Sequence, residues 1–149
     1  MEFKHIVKAF NDLSAGELYT ILKLRNEVFI VEQNCVYLDT DNKDLKCYHL
    51  MLLNNDNELI AYARLVPPGL SFDEMSIGRV VTSPKARGTG AGRQLMNIAI
   101  ENCTDIFGEG SIKIGAQAYL SKFYTSLGFN EVGEIYDEDG IPHIDMIRK

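Results

Sequence analysis

The chain is poor in cysteine and lacks any cysteine pattern. Cys35, Cys47 and Cys103 are odd in number, widely spaced and never arranged C-x-x-C. That excludes a disulfide framework and a zinc ribbon, and fits reduced thiols in a cytoplasmic protein. Long apolar runs are missing as well. The longest are strand-sized pieces such as Leu50 to Leu53, far short of the roughly 20 residues that cross a bilayer. The opening MEFKHIVKAF has no apolar stretch behind basic residues, so no secretory signal is expected. A basic excess is absent too: 15 Lys and Arg stand against 21 Asp and Glu, a formal net charge of −6. Nucleic-acid binding, which needs a basic face, is not expected, and neither is a membrane site. No metal set is expected, because His5, His49 and His143 lie in separate segments. Repeats, low-complexity tracts and long linkers are lacking. The 149 residues suffice for one domain over 1–149 with its own core, as monomer or homodimer.

What is present reads as alternating strands and helices. Phe3 to Ala9 predicts a strand. Ser14-Ala-Gly-Glu17 has the form of a capping box, and Leu18, Ile21, Leu22, Val28 and Phe29 keep helical spacing to about residue 32. Gln33 to Leu45 is polar and reads as a loop. Lys46 to Leu53 and Glu58 to Val66 predict a hairpin across Asn54 to Asn57, and Met75 to Thr82 a further strand. A helix follows from about Gly90 to Cys103, with Leu95, Met96, Ala99, Ile100 and Cys103 as its core stripe. Then come a strand over Ser111 to Ala116 and a short helix over Leu120 to Leu127, stopped by Gly128. Val132 to Tyr136 and His143 to Ile147 close the chain as an antiparallel pair. The order is that of an α+β or mixed α/β protein.

The segment Ile77 to Met96 carries the most chemistry. A strand runs through a proline turn into Arg87-Gly-Thr-Gly-Ala-Gly92, and a helix starts at once. Glycines let a backbone approach a ligand closely, and free amides at a helix start attract anions. Arg87 and Arg93 add charge-assisted donors, each hydrogen bond contributing roughly 1.5–3 kcal/mol. A glycine-rich loop that merely caps a helix is the plainer alternative. No G-K-[ST] occurs, which excludes a P-loop, and Arg93 stands where a dinucleotide fingerprint needs its last glycine.

Arg87-x-x-Gly90-x-Gly92 after a strand resembles the R/Q-x-x-G-x-G/A motif of Gcn5-related N-acetyltransferases. Ala118-Tyr-Leu-Ser-Lys-Phe-Tyr124-Thr-Ser-Leu-Gly128-Phe129 resembles the same family's later A-x(5)-Y-x-x-x-G-F segment. Within the family, Val28 to Cys35, Ala61 to Arg64, Ile77 to Val81, Gly115 to Ala118 and Glu138 to His143 look like the ElaA-type branch. The resemblance implies a central, mostly antiparallel mixed sheet flanked by helices, with a phosphate-binding turn between strand 4 and the next helix. It implies acetyl-coenzyme A as cosubstrate, an amine acceptor and no metal. Val80, Val81 and Thr82 would then face the pantetheine, and Arg87, Gly88, Thr89, Gly90, Ala91, Gly92 and Arg93 would hold the phosphates. Gln117 would bond pantetheine amides. Two alternatives stay open: a coenzyme A sensor without turnover, and an enzyme akin to acyl-homoserine-lactone synthases, whose basic, aromatic N-terminal segment is missing here.

Direct transfer to a lysine-like amine asks for a base, because such an amine, with a pKa of about 10.4, is almost wholly protonated at neutral pH. Tyr124 is the candidate acid for the leaving thiolate, although Leu120, Phe123 and Leu127 share its helical spacing and would equally make it a core tyrosine. His143 is a candidate base or acceptor anchor, or a half-buried structural histidine. Glu32 and Glu74 are carboxylate alternatives. Arg79 would bind an acceptor carboxylate or pair with an acid on the sheet. Cys35 has no activating histidine near it in sequence and is not expected to be a nucleophile.

Overall fold

The computed structural model describes residues 2–149. Seven strands make two antiparallel sheets. The first has the order β1 (Lys4–Ala9), β2 (Tyr48–Leu53), β3 (Leu59–Val66), β4 (Ser76–Thr82). The second runs β5 (Ile112–Gln117), β7 (Ile141–Arg148), β6 (Asn130–Glu138). A single parallel bridge, Met75 to Ile112, joins them, with the Lys113 amide donating to the Met75 carbonyl at 3.0 Å. Past that bridge β4 and β5 share no ladder, so the sheets part like a V.

β3, paired on both edges, is buried from Ile60 to Val66, and period-two alternation sends its side chains into two opposite cores. Ala61, Ala63 and Leu65 belong to the core that packs under α2 (Ala91–Phe107), against Leu95, Met96, Ala99 and Cys103. Tyr62, on the other face, joins Ile21, Leu24, Val28 and Phe29 under α1 (Ala15–Arg25). The capping box forms as the sequence requires: Ser14 Oγ accepts from the Glu17 amide at 3.0 Å, and Glu17 Oε1 from the Ser14 amide at 2.8 Å.

Three sequence expectations shift. The helix to residue 32 is present, but residues Asn26–Glu32 widen into a π-helix, with Gln33 and Cys35 bonding carbonyls five residues back. Of the expected stripe, Ile21, Val28 and Phe29 are buried, Leu24 joins them from the last turn of α1, and Leu18 and Leu22 are only half-buried. In α2, which runs one turn beyond Cys103 to Phe107, Ile100 is also half-buried. The predicted Leu120 to Leu127 helix is a 3-10 turn, Ala118–Leu120, leading into the short α3 (Ser121–Thr125). Gly128 follows with φ +96°.

A candidate active site in the cleft between β4 and β5

The V encloses a cleft of about 1050 Å³. Val80, Val81 and Thr82 form one wall and Ile114 to Gln117 the other, and residues of the π-helix and the β6–β7 hairpin complete the lining. Along β4 the register to β3 slips between the Arg64–Gly78 and Tyr62–Val81 pairs. Arg79, at φ +48°, and Val80 fall in this bulge, which turns backbone groups away from the ladder and beside the cleft.

At the end of β4 the chain makes a 3-10 turn over Pro84–Ala86 and enters α2. Gly88 and Gly90 have φ of +79° and +85°, and a Cβ on either would meet nothing within 4 Å. Glycine is therefore required by the backbone conformation and not by crowding. A smaller cavity of about 350 Å³ sits here, lined by Arg87, Gly88, Gly90, Ala91, Gly92 and Arg93 among others. The first amides of α2 have no intrahelical acceptors and carry the positive end of its dipole. Gly90, the N-cap, supplies no side chain to satisfy them. The site is shaped for an anion. Thr89 turns its hydroxyl inward, donating to the Ala86 carbonyl at 2.5 Å. Arg93 donates to Ser126 Oγ at 2.9 Å and lies 5.4 Å over the Phe123 ring.

Tyr124 is packed as its core-tyrosine reading requires. Its ring is 6% exposed and meets Phe123 and Phe129 edge-on. Its hydroxyl has no hydrogen-bond partner among the described residues, and the side chain lines the cleft. Burial pushes its pKa up to about 12. His143, on β7, is 8% exposed. Nδ1 lies 2.8 Å from the Ile141 carbonyl, which only accepts, so Nδ1 carries the proton. Nε2 is left facing Glu138 Oε2 at 3.3 Å. Gln117 and Gln33 approach only to 3.5 Å, a contact too long to engage either amide fully.

Two expected residues are already partnered. Glu32 is not a free base: Arg87 donates to both its oxygens, at 2.7 and 2.5 Å, and that bond holds its carboxyl below the ordinary value. Arg79 does not offer a free cation to an acceptor carboxylate. Its Nε lies 2.8 Å from Asp39 Oδ1 and its Nη2 3.4 Å from Asp41, and the guanidinium stacks 5.6 Å over Tyr37. The sheet-acid reading is the one seen, with the acids supplied by the loop. Glu74 is only half-buried and does not line the cleft.

That loop is held by a buried network the sequence reading missed. Arg25, 0% exposed, donates to Asp39 Oδ2 and Asp44 Oδ1, both at 2.8 Å. Arg64 donates to Asp41 Oδ2 at 2.6 Å and to Asp44 at 3.1 Å. Burial alone would raise the Asp41 and Asp44 carboxyls, but the Arg64 and Arg25 guanidiniums outweigh it and hold both below the ordinary aspartate value. Three arginines and three aspartates thus pin residues 33–47 beside the cleft. Cys35 adds a tie to the hairpin, its thiol donating to the Asp139 carbonyl at 3.0 Å. The one local clue was an arginine inside the apolar strand LIAYARLV.

Residues 23–149 match the family described as Acetyltransferase (GNAT) domain. ElaA of Escherichia coli is 45% identical over 141 residues, covering 93% of this chain and 92% of that protein. A UPF0039 protein of Synechocystis is 44% identical over 147 residues, covering 99% and 96%. Among solved structures, an acyl-CoA N-acyltransferase from Pseudomonas aeruginosa superposes with a TM-score of 0.92 at 41% identity, over 99% of this chain and 100% of that one. E. coli ElaA does so at 0.91 and 42%, with the same coverage. The splayed sheets, the glycine turn and these relatives agree: the chain belongs to the GNAT acetyltransferase family, in its ElaA-type branch.

Proposed function

We propose that the protein transfers an acetyl group from acetyl-coenzyme A directly to an amine of a small molecule or peptide. The observation that carries this reading is a cleft with an anion site adjoining it at Thr82, Arg87 and Gly92, and with the unpartnered hydroxyl of a mostly buried tyrosine in its wall. The pyrophosphate would rest on the turn from Arg87 to Arg93. The pantetheine would lie along Val80 to Thr82 and take hydrogen bonds from Gln117. The bulge at Arg79 and Val80 sets backbone amides near the thioester.

In the reaction the amine nitrogen bonds to the thioester carbon, the C–S bond breaks, and the thiolate leaves. Tyr124, with its pKa near 12, would lose about 5 kcal/mol by handing its proton outright to a thiolate of pKa about 8.5. Its role is therefore to stabilise the developing thiolate through a hydrogen bond. His143 would take the amine's proton at Nε2, the nitrogen that the Ile141 carbonyl leaves free. Glu32 becomes a second acceptor for that proton only once Arg87 has turned to the phosphates.

Calorimetric titration with acetyl-coenzyme A, followed by thiol-release assays over a panel of amines, tests the reading. Binding with amine-dependent thiol release is expected. Absence of binding would overturn it, and binding without release for any amine would leave a coenzyme A sensor.

A further inference from the structure

We propose that the acceptor end of the cleft is built for an amine that carries a second cation, held by the carboxylate of Asp145. The inference rests on the acyl-transfer reading above and names the class of acceptor within it.

Charge is distributed unevenly around the cleft. Residues 130–148 hold six of the chain's 21 carboxylates and one basic side chain, Arg148, which donates to the Leu127 carbonyl. The facing wall is neutralised by its own pairs, Arg64 and Arg79 on the loop aspartates and Arg87 on Glu32. Lys43 is the one cleft-lining cation without a carboxylate among the described residues, and it donates to Ser71 Oγ at 3.2 Å. The hairpin side therefore presents uncompensated negative charge.

Asp145 is presented with care. Tyr136 donates to its Oδ1 at 2.7 Å, and Oδ2 has no partner among the described residues. The pair lies over Gly115, which faces Asp145 across the β5–β7 register. A Cβ at 115 would stand 3.0 Å from the Tyr136 hydroxyl, so glycine there makes room for the pair. Tyr136 also stacks on His143. His143 and Asp145, two residues apart on β7, project to the same face about 7 Å apart, a gap that an amine separated from a second cation by about four carbons spans.

The test uses the protein saturated with coenzyme A, a complex that binds acceptor without turnover, and the free protein if coenzyme A does not bind. Calorimetry compares 1,4-diaminobutane with butylamine. The diamine is expected to bind about tenfold more tightly, the gain of one charge-assisted hydrogen bond. Asp145→Asn should bring the two amines close to parity, and Tyr136→Phe should lower the preference partway. Equal affinities in the wild type, a preference that survives Asp145→Asn, or a variant that loses both amines alike would overturn the proposal. Thermal melting checks that each variant is folded, and Tyr136→Phe keeps the test open if Asp145→Asn is not. Diamine preference with no thiol release would leave the subsite standing and remove the transferase reading.

Discussion

Glu32 and Arg87, 55 residues apart in sequence, close a two-point ion pair across the mouth of the cleft. An anion that enters the phosphate turn competes with Glu32 for the same guanidinium. Both side chains are a little under half exposed, where such pairs contribute little. Glu32→Gln should therefore tighten acetyl-coenzyme A binding only about twofold to fivefold, with the gain shrinking at high salt. Calorimetry at two salt concentrations reads it. Weaker binding in the variant would mean that Glu32 orders the turn.

Gly90 caps α2 at φ +85°, a conformation that costs an ordinary L-residue about 1–2 kcal/mol. Gly90→Val should weaken acetyl-coenzyme A at least tenfold, about 1.4 kcal/mol, with the fold retained. Unchanged affinity in a folded variant removes the turn from the binding site.

Tyr124→Phe deletes a hydroxyl that bonds nothing among the described residues while keeping the ring between Phe123 and Phe129. Folding stability should hardly move. Turnover should drop about 100-fold at unchanged acetyl-coenzyme A affinity. A variant as active as the wild type would leave Tyr124 as packing only.

Arg25→Met removes the buried hub of the ionic network and leaves Asp39 with Arg79 alone and Asp44 with Arg64 alone. A loss of about 3–5 kcal/mol is expected, the range for breaking a buried pair from one side, measured by urea unfolding. The network also sets an acid limit. Asp41 and Asp44 bind protons less readily folded than unfolded, so their stabilisation is complete above the ordinary value of 3.8 and drains as pH falls below it. Thermal melts between about pH 5 and pH 3 should show this fall, and Asp41→Asn should flatten it.

How much of this could be read from the sequence depended on the range of each constraint. The phosphate turn was legible because Gly88 and Gly90 answer a local demand on φ, and the following helix announces itself through Leu95, Met96 and Ala99. Tyr124 stood out only through the resemblance of its segment, up to Gly128 and Phe129, to a family motif, since its helical spacing alone reads as packing. The loop from Gln33 to Leu45 read as solvated because Asp39 and Asp41 look like surface residues until Arg64 and Arg79 arrive from β3 and β4. Arg25 closes the last turn of α1, where a cation is ordinarily exposed, and only the fold buries it. The π-helix after it has no signature in the apolar pattern, since Leu24 and Val28 fit a regular helix equally well. Asp145 and Tyr136 meet over Gly115 through strand pairing alone, which periodicity does not encode.

The lone bridge at Met75 and Ile112 bears on a hazard unrelated to chemistry. Beyond it β4 and β5 are each the open margin of a sheet, and open margins recruit strands from other molecules into aggregates. Here the two margins face each other inside a wedge. A second protein chain would have to bring its side chains and its own neighbouring strands into that wedge. A slender molecule bearing amide groups meets no such obstacle. The same splay that exposes two rows of backbone donors and acceptors also sieves who can reach them, and keeps the protein's stickiest backbone away from its copies.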